Sequence, residues 1–278
     1  MIQVGKINQL KVANLASFGA YLDAETGNRQ DNVLLPGNEC PDNVQEGDPF
    51  EVFVYHDSEN RLIATRQKPL ALVGEIAYLK VTAKTKFGAY LDFGIERGLF
   101  LPFREQKHPL EIDHSYLVYL YLDKSGRLAA TTDIYSFLRS DSPYQKNDNV
   151  MGTVYQINPE IGVFVAVDNQ YMGLIPRSEN YSDLRWGDRV QTRVIRVRED
   201  GKLDLSPRNL SHQQMNVDAE LLINALNAHG GVLPLNEKSD PEEIEKTFHM
   251  SKAAFKRAVG VLLKNGRISK SGDELKLP

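Results

Sequence analysis

The chain has 278 residues, of which 41% are hydrophobic and 25% charged, with a formal net charge of −4, the balance of a globular protein and not of a disordered one. No run approaches the roughly 20 apolar residues that span a bilayer, and the start MIQVGKINQL has neither the basic nor the apolar region of a signal peptide. The single cysteine, Cys40, excludes a disulfide framework and a Cys-based zinc site, so a cytoplasmic protein is expected.

In chain order, the first unit opens on Val4-Gly5-Lys6-Ile7, carries Phe18-Gly19-Ala20-Tyr21-Leu22-Asp23 and closes on Arg61-Leu62-Ile63-Ala64-Thr65. The hexapeptide recurs unchanged 69 positions later as Phe87-Gly88-Ala89-Tyr90-Leu91-Asp92, between Val73-Gly74-Glu75-Ile76 and Arg127-Leu128-Ala129-Ala130-Thr131. A looser third copy runs Val150-Met151-Gly152-Thr153-Val154, Ile161-Gly162-Val163-Phe164-Val165, and Gly201-Lys202-Leu203-Asp204-Leu205-Ser206. A repeat of this period has to be read before anything else, because it sets the architecture.

Each unit reads as β. Short runs of Val, Ile, Tyr and Phe alternate with polar residues between Gly, Asn and Asp-Gly turns such as Ser125-Gly126 and Asp200-Gly201. Along Arg189–Val194, Val190, Thr192 and Val194 face one way and the basic side chains the other. About five strands in about 65 residues suit a small closed Greek-key barrel, with Gly19 and Gly88 expected to permit a bulge that turns both aromatics of a pair to one face. A lone module of that size hides only about 60% of its unfolded surface, so neighbouring units are expected to pack together.

After Ser211 the period becomes helical. Residues 218–228, with Leu221, Leu222, Ala225 and Leu226 at helical spacing, end at Gly230-Gly231. Asp240 before Pro241-Glu242-Glu243 starts a short helix, and Ser251 caps another over 252–265 whose buried stripe is Ala254, Phe255, Ala258, Val259 and Leu262. A β-hairpin wing follows, through Ser269, a Ser-Gly-Asp-Glu turn and Leu275-Lys276-Leu277. Residues 213–278 therefore read as a winged helix. The joints are expected at 136–148 and 207–216.

The order V-x-G-x-V, F-G-A-Y-L-D, G-L-x-x-P, G-D-x-V and G-x-L-x-L-S is similar to the S1 RNA-binding domain, an OB-fold barrel. The third unit keeps the most pieces, among them Gly173-Leu174-Ile175-Pro176-Arg177-Ser178 and Trp186-Gly187-Asp188-Arg189-Val190. Three S1-like units and a winged helix resemble the conserved virulence factor B family of bacterial RNA-binding proteins over essentially the whole chain. The specific pieces are Gly98-Leu99-Phe100-Leu101-Pro102 with Glu105-Gln106, Leu233-Pro234-Leu235, 238–244 and Met250-Ser251-Lys252. The expected fold is mainly β with a small α+β C-terminal domain: S1-like OB barrels over 1–67, 68–137 and 146–208, then the winged helix over 213–278. The resemblance implies RNA binding, a regulatory role and no catalysis.

Single-stranded RNA needs rings on which bases stack and cations that follow phosphates. Phe18/Tyr21, Phe87/Tyr90 and Phe164 occupy the positions that stack bases in S1-like domains; the alternative is that each ring packs in its barrel or against the next unit. Charge separates the units. Residues 1–67 hold 5 Lys/Arg against 10 Asp/Glu, 68–143 hold 10 against 9, and 144–210 and 211–278 each hold 9 against 9. The acidic first unit is expected to bind weakly and to serve as an interface. The second offers Lys80, Lys84 and Lys86 near the aromatic pair, with Arg97 and Arg104. The third offers Arg177, Arg185, Arg189, Arg193, Arg196 and Arg198, against the alternative of a solvated outer face.

Lys252 and Lys256, with Arg257, Lys264, Arg267 and Lys270, could set the winged helix on a nucleic-acid backbone, although nearby glutamates cancel them. The six scattered histidines show no metal-ligand spacing, and no phosphate-loop or nucleophile-elbow motif occurs. Neither a catalytic site, a metal nor a cofactor is expected, and a monomer is favoured. The leading expectation is a regulator that binds single-stranded RNA on units two and three. Its rivals are a scaffold docking to the ribosome, RNA polymerase or a nuclease, and a DNA-binding regulator acting through the winged helix.

Overall fold

The computed structural model describes residues 2–180, 183–207, 211–272 and 274–278. The chain divides into two compact units, 1–139 and 140–278.

The first unit holds two barrels. Barrel 1 is built from β1 (Ile7–Ala16), β2 (Gly19–Leu22), β3 (Val33–Pro36), β4 (Pro49–His56) and β5 (Leu62–Thr65), and closes in the order β1-β2-β3-β5-β4. Alternation drives it: Leu10 and Val12 of β1 point in with Leu22, Val33, Leu35 and Val54, while the residues between them face water. Barrel 2 repeats the plan with β6 (Ile76–Thr85), β7 (Gly88–Leu91), β8 (Leu99–Pro102), β9 (Ser115–Leu122) and β10 (Leu128–Thr131). Here the barrel is nearly closed, with β8 beside β10. The sheet runs β10-β9-β6-β7-β8, and no ladder joins β8 to β10, whereas in barrel 1 a parallel bridge from Leu34 to Ile63 joins the corresponding strands.

The barrels of this unit share a core. Phe53 of β4 is fully buried among the side chains of barrel 2, its ring edge-on to Phe93 with centroids 5.8 Å apart. The Val73 N–H donates to the Gly5 carbonyl at 3.0 Å, and His56 Nδ1 lies 2.9 Å from the Gly126 carbonyl oxygen. This is the mutual packing that the small size of the modules demands.

The second unit starts with barrel 3: β11 (Asn149–Asn158), β12 (Gly162–Val167), β13 (Tyr171–Pro176), β14 (Arg189–Val197) and β15 (Leu203–Ser206), closed by parallel pairing of β13 with β15. The winged helix follows as α1 (Ser211–Ala228), β16 (Val232–Leu233), α2 (Pro241–Phe248), α3 (Lys252–Lys264), β17 (Ser269–Ser271) and β18 (Glu274–Lys276), with the sheet ordered β16-β18-β17. Both caps read from the sequence are made: the Asp240 carboxylate accepts from the Glu242 N–H and the Ser251 hydroxyl from the Ala254 N–H. The stripe Ala254, Phe255, Ala258, Val259 and Leu262 is buried.

Two expectations change. Helix α1 begins at Ser211, so 211–216 are helical and not a joint, while 208–210 lie outside the described residues. Of the residues read at helical spacing, Leu222 and Leu226 are buried in the core, whereas Leu221 is 46% exposed and Ile223 is buried with them. The bulge expected at Gly19 and Gly88 sits one strand earlier, at Val12/Asn14 of β1 and Val81/Ala83 of β6.

The glycines do something else. A Cβ on Gly19 would lie 2.2 Å from the Leu35 carbonyl oxygen, and one on Gly88 2.3 Å from that of Leu101, so β2 and β7 approach their neighbours too closely for any side chain. Gly88→Ala is therefore expected to destabilise the first unit by about 1–3 kcal/mol, read as a lower urea midpoint for the full chain; an unchanged midpoint would mean that β8 yields.

Candidate nucleic-acid interface

On barrel 2 the strand geometry brings four aromatic rings to the surface. Phe87 precedes β7 and is 67% exposed; Tyr90, on β7, is 39% exposed. In β8, Leu99 and Leu101 point inward, which turns Phe100 outward. Register pairs Phe100 with Tyr90, and their rings lie 5.3 Å apart at 48°. Phe103, just past β8, is 70% exposed. Phe100 and Phe103 were not expected at this surface, although the alternation Leu-Phe-Leu already marks Phe100 as outward.

Charge sits beside the rings. Lys86 Nζ lies 4.9 Å from the Phe87 ring centroid, a cation–π contact of about 0.5–1 kcal/mol at such an exposed site. The Arg104 side chain is 80% exposed, and its ion pair with Glu105 is long, at 3.8 Å. Lys84 is committed elsewhere, donating to the Leu110 carbonyl at 2.8 Å, and Lys80 pairs with Asp113 at 3.5 Å.

Barrel 1 carries the same pair in a different field. The Phe18 and Tyr21 rings meet edge to face at 6.1 Å and line a groove with Leu34, Ile63, Asp31 and Asp57. Desolvation pushes the Asp57 carboxyl up, but hydrogen bonds from the Arg61 backbone and side chain and from the Glu59 N–H hold it below the usual carboxylate range. Asp57 therefore stays ionised, with the Arg61 guanidinium that pairs with it at 2.7 Å lining the same groove.

Barrel 3 has one ring of the pair. Phe164 is half-buried, 6.2 Å from Tyr155, and exposed Ile161 stands where Phe18 and Phe87 stand in the other barrels. Along β14, Thr192 and Val194 are buried while Arg189 and Gln191 are exposed, as the alternation predicts. Arg177 and Arg196 are exposed, and Arg193 donates to Asn147 Oδ1 at 3.1 Å. Arg198 places Nε and Nη2 2.9 and 2.6 Å from the buried Asp204 Oδ1, a bond that ties β14 to β15 from inside the module.

In the winged helix Lys256 and Arg257 are exposed on α3. Lys252 donates to the Lys238 carbonyl at 3.2 Å, while Arg267 pairs with Glu220 and Lys270 with Glu237. The structure thus gathers Phe87, Tyr90, Lys86 and Arg104 on one barrel, sets Phe164, Arg177, Arg193 and Arg196 on another, and commits Lys84, Lys252 and Arg198 to contacts inside their own modules. Among the described residues, no group of three His, Cys, Asp or Glu side chains could hold a metal, and no helix is long and apolar enough to cross a membrane.

Comparison with known proteins follows the same modules. Residues 4–67 and 73–133 match the S1 domain, 135–209 the second domain of the virulence regulatory factor CvfB, and 220–277 the CvfB-like winged helix domain. The chain is 34% identical to the protein YitL of Bacillus subtilis (strain 168), over 93% of this chain and 88% of that one. It is 30% identical to conserved virulence factor B of Staphylococcus aureus (strain MRSA252), over 94% and 90%. Its fold is similar to the crystal structure of a multidomain protein with nucleic acid binding domains from Streptococcus pneumoniae, at a TM-score of 0.52 and 24% identity, covering 99% of this chain and 98% of that one.

The Arg198–Asp204 pair generates a test that separates structure from binding. Arg198→Met should cost about 1–3 kcal/mol of stability, because it leaves the Asp204 carboxylate without its charged donor. Arg196→Met, on the exposed side, should leave the denaturation midpoint unmoved. Equal midpoints for the two variants in urea would contradict this assignment.

Proposed function

The chain belongs to the conserved virulence factor B family, and from that premise we propose that it is a non-catalytic cytoplasmic regulator that binds single-stranded RNA on barrels 2 and 3. S1-like OB barrels and winged helices are both nucleic-acid-binding folds. The observation that carries the reading is the exposed pair Phe87 and Tyr90, backed by half-buried Phe100, beside Lys86 and Arg104. Rings held at a surface suit bases that are already unstacked, as in single strands, and each stacked base is worth about 1–3 kcal/mol. Phe164 with Arg177, Arg193 and Arg196 would give barrel 3 a contact surface of its own, and Lys256 of the winged helix would add a further phosphate contact. Linked sites of modest strength gain affinity from their effective concentration. The protein acts on this reading as a monomer that controls RNA after transcription.

Barrel 1 favours a second role. Its aromatic pair lies over a groove whose one cation among the described residues, Arg61, is paired with Asp57, in a module with 5 Lys/Arg against 10 Asp/Glu that attracts phosphate weakly. This face suits docking to a protein such as a ribosomal component, RNA polymerase or a nuclease.

The test is fluorescence anisotropy of a short labelled single-stranded RNA with the full chain at about 50 and about 300 mM salt. Affinity should fall steeply with salt. The double variant Phe87→Ala, Tyr90→Ala, shown folded by circular dichroism, should bind about 10- to 100-fold more weakly. Salt-independent binding, or equal binding by the variant, would contradict the placement on barrel 2. A wild-type chain that binds no RNA would leave the docking role.

A further inference from the structure

Between the two barrels of the first unit lies a cleft of ≈ 760 Å³, within the range of about 300–1,000 Å³ typical of small-ligand sites. Barrel 2 supplies its floor from both sides of the β8–β10 seam: Tyr90, Phe100 and Pro102 on one side, Tyr121, Leu128 and Ala129 on the other. Barrel 1 supplies the facing wall, Tyr55-His56-Asp57-Ser58 at the end of β4.

The walls are held together by polar bonds across the junction. Arg97 Nη1 donates to the His56 carbonyl at 2.5 Å while its guanidinium sits 6.0 Å from the Tyr55 ring centroid. Arg127 Nε donates to Asn60 Oδ1 at 3.0 Å. The cleft is therefore preformed, which lowers the entropic cost of filling it.

Its lining is mixed in charge, with a slight excess of cations. Arg97, Arg104 and Arg127 line it, against Asp57 and Asp123. Both carboxylates are turned into their own β-turns: Asp57 accepts from Arg61 and Glu59, and Asp123 Oδ1 accepts from the Ser125 N–H, the Ser125 hydroxyl and the Arg127 N–H at 2.8, 2.6 and 3.0 Å. Burial raises the pKa of the Tyr55 and Tyr121 phenols, so both hydroxyls remain proton donors at neutral pH. Flat rings, neutral hydroxyl donors and guanidinium groups in one recess are complementary to a nucleotide: rings for the base, cations for the phosphate. Tyr90 belongs both to the exposed pair and to this recess, so a strand stacked on Phe87 and Tyr90 leads directly into it.

We propose that this inter-barrel cleft is a nucleotide subsite, in which one base of the bound single strand lies between barrels 1 and 2 with its phosphate held by Arg97, Arg104 and Arg127. Barrel 1 then serves RNA as a wall and not as a platform. The proposal rests on the reading that barrel 2 binds single-stranded RNA.

Ser58 is the probe, because it is exposed in a turn on the barrel 1 wall. Ser58→Glu should weaken binding of a short single-stranded RNA by about 5- to 10-fold at low salt, with the deficit shrinking as salt rises. Ser58→Gln, of similar bulk but without charge, should lose at most about 2-fold and show no added salt dependence, and both variants should melt with the wild-type chain. In parallel, photocrosslinking of a 4-thiouridine-labelled RNA to the wild-type chain should give adducts within 55–58. Either a loss specific to Ser58→Glu or such an adduct supports the cleft, and the absence of both overturns it. If the chain still depends on Phe87 and Tyr90 in that case, only the cleft falls. A wild-type chain that binds no RNA removes the function and the cleft together.

Discussion

One hydrogen bond recurs in all three barrels and sets what each can display. The residue after the proline that ends the third strand donates its N–H to the carbonyl of the residue that precedes the second strand: Gly37 to Phe18 at 2.9 Å, Phe103 to Phe87 at 2.9 Å, and Arg177 to Ile161 at 3.0 Å. With that carbonyl turned toward the barrel and a side-chain-free position pressed against the next strand, the side chain at 18, 87 or 161 stands at the surface, half or more exposed. Such a bond is worth about 0.5–1.5 kcal/mol net, whereas burying a Phe is worth about 1.5–3 kcal/mol. The backbone gain therefore does not by itself offset an exposed Phe at this position. Phe18 and Phe87 forgo the gain of burial, and that forgone gain is what makes them informative about function.

Because the scaffold is repeated, differences between the barrels come from charge. Barrel 1 holds an ionised carboxylate in the groove under its rings. Barrel 2 sets Lys86 and Arg104 beside its rings and holds Asp123 in a turn. Barrel 3 has many arginines, yet Arg198 is paired with its own Asp204. The same backbone can thus present a surface that attracts phosphate or one that does so weakly, and the choice rests on side chains at turn ends, where substitution costs the fold little.

The repeat was legible because six residues recur unchanged, and a period-2 pattern in each copy leaves little choice of fold. Helix caps and the buried stripe of α3 were legible because they depend on residues a few positions apart. What stayed hidden was nonlocal. That Gly88 must lie against the Leu101 carbonyl depends on how β7 meets β8, and that Lys84 reaches Leu110 depends on a loop 26 residues away. The early start of α1 was hidden for the opposite reason: Ser211-His212-Gln213-Gln214 carries no apolar period to read. The cleft between barrels belongs to neither repeat and could be seen only with both in place.

Phe53 lies within the first repeat by sequence and within the second by packing. Cooperativity follows packing, so the border between repeats is not a border between foldons. Amide protons of β4 and of β9 are then released by the same opening event, and cutting the chain between the repeats would strip barrel 2 of a core side chain and leave barrel 1 with a bare phenyl ring. The duplication that wrote Phe-Gly-Ala-Tyr-Leu-Asp twice has ended in two modules that can no longer be parted.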